Sequence, residues 1–164
     1  MSPVSRPVSL PHPLLPAADW ADRFTLGLPV GNLTAREAAR LALEHPPGWV
    51  RGLMMMRNAL VAPFGLRGAA EKVKTSDTEI GGFPVISVSD DRVVLGFDDR
   101  HLDFRIVIDV RQDRPSGQTL SVMTLVHRNN LFGRLYLATV MPFHKLIVRR
   151  MLSGIGERVL TSRR

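Results

Sequence analysis

The chain contains no cysteine. That excludes a disulfide framework, thiol nucleophiles and cysteine-ligated zinc, and says little about compartment. Aromatic residues are sparse at 6%, and none interleave with basic residues along a strand. A base-stacking platform for single-stranded nucleic acid is therefore not expected. No HExxH, GxSxG or CxxC pattern occurs. Gly81-Gly82 lacks the further glycines and following helix of a phosphate-binding loop, and reads as a hinge or turn. The N-terminal MSPVSRPVSLPHPLLP is broken by prolines and has no continuous apolar stretch, so a signal peptide is not expected and the default location is cytoplasmic.

What remains is a globular composition. The 164 residues are 45% hydrophobic and 23% charged, enough for one domain with a sizeable core. Lys+Arg is 22 against 15 Asp+Glu, a formal net charge of +7. Such an excess fits nucleic acid, an anionic surface or an acidic partner. Much of it sits in Arg149, Arg150, Arg158, Arg163 and Arg164, where cations favour a helix C-terminus. The expected organisation is an extended proline-rich arm over 1–17, a single domain over 18–160, and a basic tail over 161–164.

The fold is organised by the run from Asn129 to Leu152. Leu131, Leu135, Ala138, Phe143, Leu146, Ile147 and Met151 recur at helical spacing. Pro142 predicts two helical pieces or one kinked helix. Arg134, His144, Lys145, Arg149 and Arg150 interrupt the run too often for the sequence to predict a transmembrane segment. Upstream, Asp19 to Leu28 alternates as a short strand. Thr34 and Glu37 form a capping box ahead of a helix that ends at Pro46-Pro47. A second helix is predicted in GWVRGLMMMRNALV, with Met54 to Met56 as soft, adaptable surface. Gly65 to Gly82 reads as a loop or lid, with a weak strand signal over Glu71 to Ile80.

Phe83 to Arg128 reads as four antiparallel strands joined at Asp90-Asp91, Asp98–His101 and Gln112–Gly117. Simple hairpins pair Val88 with Val93, Ile86 with Leu95, and Pro84 with Phe97. Across the next turn they pair Phe97 with Leu102, Leu95 with Phe104, and Val93 with Ile106. Across the last they pair Phe104 with Val126, Ile106 with Thr124, and Ile108 with Val122. One register thus puts the apolar side chains on one face. The other face is mixed and expected to meet water, with Asp103, Arg105, Asp109 and His127 among Val94, Val107, Met123 and Leu125.

His101, Asp103 and His127 are the nearest approach to a metal cluster. They fall on the face expected to be wet, so a surface network of Asp, His and Arg is the preferred reading, and neither metal nor cofactor is predicted. Tyr136 and His144, on the last helix, are the polar groups available to a pocket and the weak candidates for acid–base work. The paired aspartates at 90–91 and 98–99 read as turn residues.

GFPVISVSDDRVVLGFDDRHLDFRIVIDV followed by LFGRLYLATVMPFHKLIVRRML is similar to an uncharacterised bacterial domain-of-unknown-function family. Its members occur alone or behind a short-chain-dehydrogenase-like domain. The order helix, helix, meander and long C-terminal helix resembles the helix-grip fold of START-like or Bet v 1-like proteins. That fold has about seven strands, of which four are clear in this sequence. The resemblance implies an α+β fold in which an antiparallel meander grips a Pro-kinked helix, with a cavity for lipids, polyketides or other apolar ligands. The expected lining is Met56, Leu95, Phe97, Phe104, Ile106, Thr124, Val126, Leu135, Tyr136, Ala138 and His144. The expected function is binding of a small apolar molecule. The alternatives are a cyclase, dehydratase or isomerase acting on one, and an interaction domain with a filled core. No specific nucleic-acid partner is expected; a homodimer and a partner oxidoreductase acting in trans are left open.

Overall fold

A computed structural model describes residues 2–29, 31–44, 48, 51–52, 55, 78–113, 115 and 117–161. The fold is α+β: one antiparallel sheet, a short helix and a long C-terminal helix. The strands are β1 (Val4–Arg6), β2 (Trp20–Leu28), β3 (Glu79–Ile80), β4 (Phe83–Val88), β5 (Arg92–Asp98), β6 (Leu102–Asp113) and β7 (Gly117–Arg128). They lie in the order β1-β2-β7-β6-β5-β4-β3, so the sheet has seven strands where the sequence showed four clearly. The helices are α1 (Ala35–Leu43) and α2 (Leu131–Thr161).

The β6–β7 pairing follows the predicted register, with Phe104 opposite Val126, Ile106 opposite Thr124 and Ile108 opposite Val122. Between β5 and β6 the register is displaced by two residues: Phe97 faces Phe104, Leu95 faces Ile106 and Val93 faces Ile108. A shift of two preserves the face of every side chain. Between β4 and β5 the prediction fails. Val88 faces Val93, but Val85, not Ile86, faces Leu95, and the ladder is irregular between Val85 and Ser87. The extra residue reverses the alternation. Phe83 and Val85 therefore pack against the core, and Ile86 is exposed. The Gly81-Gly82 pair, both at positive φ, makes the two-residue turn from β3 to β4.

Thr34 caps α1 with the full reciprocal pattern: its hydroxyl accepts from Glu37 N–H, and Glu37 Oε2 accepts from Thr34 N–H. Ala35, Ala38, Ala39 and Ala42 line one face of α1 and are buried, so the helix approaches the sheet closely. Gln118, fully buried, exchanges hydrogen bonds with both backbone groups of Leu33 and ties β7 to the entry of α1. Of the second predicted helix only Gly48, Arg51, Gly52 and Met55 are described, all helical. Met54, Met56 and most of the predicted loop lie outside the described residues.

The main core joins the inner sheet face (Phe24, Leu26, Val93, Leu95, Ile108, Leu120) to the alanines of α1 and to Val148, Leu152 and Ile155 of α2. The opposite face was expected to meet water. Instead, Val94, Val107, Met123 and Leu125 on it are buried under Leu15 and Ala18, with Val8 and Leu14 against them. The proline-rich segment lies across the sheet: it adds β1 to the edge, then turns at His12–Leu15 and again at Leu15–Ala18. Four large apolar side chains on one face need a cover, and this segment supplies it. Asp103, Arg105 and Asp109 stay partly exposed on that face.

Helix α2 is one continuous helix of 31 residues through Pro142. Pro142 is exposed, where water can satisfy the carbonyl that loses its partner. By length and composition alone α2 is long and apolar enough to cross a membrane, a test that the core helix of a soluble protein also passes. Its buried residues are Gly133, Leu137, Val148, Leu152, Ile155 and Gly156. The apolar face predicted to meet the sheet therefore points away from it: Leu131, Leu135, Phe143 and Leu146 are exposed. Because α2 is apolar around most of its circumference, periodicity could not choose the face.

Candidate functional site

On the inner face, cross-strand pairing sets the side chains in rows. One row runs Trp20, Val126, Phe104, Phe97. The next runs Asp22, Thr124, Ile106, Leu95, Val85. A third runs Phe24, Val122, Ile108, Val93. Asp22 and Thr124 thus form a polar pair set between apolar rows. Both face α2, because even-numbered residues of β2 from Trp20 to Leu28 share the side that carries the main core.

His144 of α2 sits over this pair. Its Nε2 lies 3.3 Å from Asp22 Oδ1, 3.2 Å from Asp22 Oδ2 and 3.3 Å from Thr124 Oγ1. The Asp22 side chain is 11% exposed and that of His144 22%. Oδ2 of Asp22 is buried and makes no hydrogen bond among the described residues. The edge of Trp20 meets the imidazole at 5.8 Å and 79°. The result is a carboxylate, a hydroxyl and an imidazole converging where the surroundings are apolar. That is the arrangement by which a pocket orients one polar group of a ligand, or by which a carboxylate orients a histidine for proton transfer.

An apolar wall in the neighbouring row, joined to the trio through Trp20, is built from Leu102, Val126 and Leu137, with Trp20, Phe104, Tyr136 and Met141 against them. Phe104 takes the edges of two rings, Phe97 at 4.4 Å and Phe83 at 5.6 Å. This end of the inner face is less closed than the rest. Trp20, Phe97, Phe104, Ile106, Tyr136 and Met141 are half-buried, whereas Leu95, Ile108, Leu120 and Leu152 are at 0–1%.

Of the residues expected to line a site, Phe97, Phe104, Ile106, Thr124, Val126, Tyr136 and His144 are gathered on this wall. Leu95 belongs to the sealed core. Leu135 and Ala138 are exposed on the outer side of α2 and do not contribute to the wall. Met56 lies outside the described residues. Sequence reasoning missed Asp22 and Trp20. They enter through the pairing of β2 with β7, which no turn connects, so hairpin logic could not find them. The signal within reach was the alternation Trp20, Asp22, Phe24, Leu26, a carboxylate on the apolar face of a strand.

The other cluster is taken apart by the fold. Asp103 does face His127 across the ladder. His101, however, lies in the turn before β6. Its Nδ1 is 2.9 Å from Asn130 Nδ2, and its ring rests on Phe132. Asp103 Oδ1 accepts from Asp99 N–H and from Asn129 Nδ2. These contacts hold the turn to the start of α2. No group of three His, Cys, Asp or Glu side chains placed to hold a metal occurs among the described residues.

No curated protein and no solved structure matches the chain. One family model does, over residues 14–151, a span that runs from the segment covering the outer sheet face to the middle of α2 and takes in Asp22, Thr124 and His144. The chain belongs to the family described as Protein of unknown function (DUF2867).

Proposed function

We propose that the protein binds a small apolar molecule between the Trp20–Phe97 end of the sheet and the first half of α2, with His144, Thr124 and Asp22 orienting one polar group. The observation that carries this reading is the contrast within one sheet face. The rows toward α1 are sealed, while the aromatic row next to the polar trio is half-buried at Trp20, Phe104 and Phe97. A ligand there completes the burial, contributing about 25 cal/mol for each Å² of apolar surface removed from water. The reading goes with a START-like relationship and a bacterial source, both resting on the resemblance seen in the sequence.

Titration of the purified protein with a fluorescent naphthalene dye tests it. Wild type is expected to bind. Ile106→Trp, which fills the wall, is expected to abolish binding. Ala138→Trp, on the exposed side of α2, is expected to leave it intact. Circular dichroism on each variant separates a filled site from an unfolded chain. No binding by wild type would leave the interaction-domain reading in its place.

The Asp22–His144 contact favours a second reading, an isomerase-type enzyme in which His144 moves a proton on the bound molecule and Asp22 orients it. Its signature is solvent deuterium appearing at a carbon beside the carbonyl of a bound bicyclic ketone with wild type, and not with His144→Ala.

A further inference from the structure

We propose that Asp22 fixes the tautomer of His144, so that the molecule taken into this site is an apolar alcohol or phenol that donates its hydroxyl hydrogen to His144 Nδ1. This rests on the reading that the half-open wall takes a small apolar ligand, and adds the chemical class of that ligand.

An ionised carboxylate can only accept hydrogen bonds. Both oxygens of Asp22 approach Nε2 of His144, at 3.3 and 3.2 Å. A bare lone pair on that nitrogen would face two anionic oxygens in a poorly hydrated place, so Nε2 carries the hydrogen. Thr124 Oγ1, 3.3 Å away, shares it as a second acceptor. Trp20 holds the ring from the side. In its neutral form, which the proposal requires, the imidazole has one N–H, and with that on Nε2 the other nitrogen is an acceptor. Nδ1 of His144 has no hydrogen-bond partner among the described residues. The trio therefore presents one acceptor on a ring that Trp20 meets edge-on, and Trp20 packs in the same apolar cluster as Phe104 and Met141.

A ligand hydroxyl pairs with that acceptor. An ether or ketone oxygen at the same place sets lone pair against lone pair and leaves both unpaired. Sites that discriminate by an unmade hydrogen bond in this way do so more strongly than sites that discriminate by shape. Asp22 is a positioning residue: it acts on the ligand through His144.

The test compares 2-naphthol with 2-methoxynaphthalene, nearly matched in apolar surface, by fluorescence titration of the full chain. Histidine-labelled protein gives the tautomer from the nitrogen chemical shifts, with the His144 signals assigned by their loss in His144→Gln. Wild type is expected to show the Nε2–H tautomer and to bind the naphthol about tenfold more tightly than the ether. Asp22→Leu is expected to bring the ratio near one and to populate the Nδ1–H form while both probes still bind. Equal binding of the two probes by wild type, an Nδ1–H tautomer or a doubly protonated ring would overturn the proposal and leave the apolar-site reading standing. Failure of both probes to bind overturns both. If Asp22→Leu does not fold, the wild-type tautomer and the wild-type probe ratio decide the matter.

Discussion

Gly133 sets its Cα against the carbonyl oxygen of His101, so closely that a Cβ on residue 133 would overlap it. Around this contact the β5–β6 turn is locked to the start of α2. Asn129 N–H donates to the same oxygen at 2.9 Å. Asn130 Oδ1 accepts from Gly133 N–H at 3.0 Å, and Asn130 Nδ2 donates to the Arg100 carbonyl at 3.2 Å. The junction fixes the rotation of α2 about its axis. His144, about three turns onward, thereby faces Asp22, and Leu135 faces outward.

Gly133→Ala is therefore expected to destabilise the fold by about 1–3 kcal/mol, since a turn backbone must move to admit the methyl group. Alanine is otherwise the better helix former by about 1 kcal/mol. Gly154 of the same helix has nothing within 4 Å of its missing Cβ. Gly154→Ala is expected to gain up to about 1 kcal/mol. Urea denaturation of the two variants should give shifts of opposite sign; equal shifts would refute the contact at His101.

How far the sequence could be read follows the range of the interactions. The β6–β7 register was legible because one alternation runs unbroken through twelve residues on each side of a Pro/Gly turn. The β5–β6 register was misjudged by two, since apolar residues at every second position fit equally well after such a slip. The orientation of α2 was not legible at all, because what decides it is a backbone contact at Gly133 with a turn thirty residues earlier. Asp22 was hidden for a similar reason: its partners Thr124 and His144 are over a hundred residues away. The wet outer face was a wrong inference from Asp103 and Arg105. The apolar residues among them, Val94, Val107, Met123 and Leu125, were the true signal, and they required a cover.

That cover makes Leu15 a structural residue. It is buried against the outer face of the sheet, while Leu10 in the same segment is 39% exposed. Leu15→Ala is expected to cost about 2–4 kcal/mol, and Leu10→Ala under about 0.5 kcal/mol. Thermal or denaturant melts of the pair measure this directly. Equal, small effects would mean that the segment is not docked in solution.

His12 gives the same segment a pH response. Burial foremost, then Arg23 and Arg92, lowers its pKa below the ordinary 6.5. The neutral ring accepts from Leu14 N–H at 3.2 Å. A histidine harder to protonate when folded leaves stability intact above 6.5 and erodes it as pH falls toward the folded value. His12→Gln is expected to flatten the stability profile on the acid side of 6.5 and to leave it nearly unchanged above. A profile as steep in the variant as in wild type would assign the acid response elsewhere.

The cap of α1 responds in a lower window. Glu37 is held below its ordinary 4.5 by the Thr34 N–H and then by the Thr34 hydroxyl. Its contribution is present above 4.5 and is lost as pH falls through the depressed value. Thr34→Ala is expected to cost about 1 kcal/mol at neutral pH. The gap between variant and wild type should narrow at acid pH, because protonated Glu37 no longer accepts both bonds. A gap that is constant with pH would show that only the Thr34 side chain matters.

The bulge in β4 yields the sharpest test of the sheet. Val85 faces Leu95 and Ser87 faces Val94, so Ile86 is the residue without a partner, and it is 50% exposed. Val85 packs against the main core from the inner face. A simple hairpin predicts the reverse, with Ile86 inward and Val85 outward. Val85→Asp puts a carboxylate against Leu95 and is expected to cost more than about 2 kcal/mol. Ile86→Asp is expected to stay within about 0.5 kcal/mol, as surface changes do. Deletion of Ile86 goes further. It joins Val85 directly to Ser87, and the ladder then runs on with Val85 still inward opposite Leu95 and Ser87 still outward opposite Val94. An inward strand residue removed from a regular ladder would throw the rest of the strand onto the wrong face; a bulged residue can be removed without that consequence. The deletion variant is thus expected to fold cooperatively, with the circular dichroism of wild type. Loss of the fold on deleting Ile86, together with tolerance of aspartate at position 85, would restore the simple hairpin.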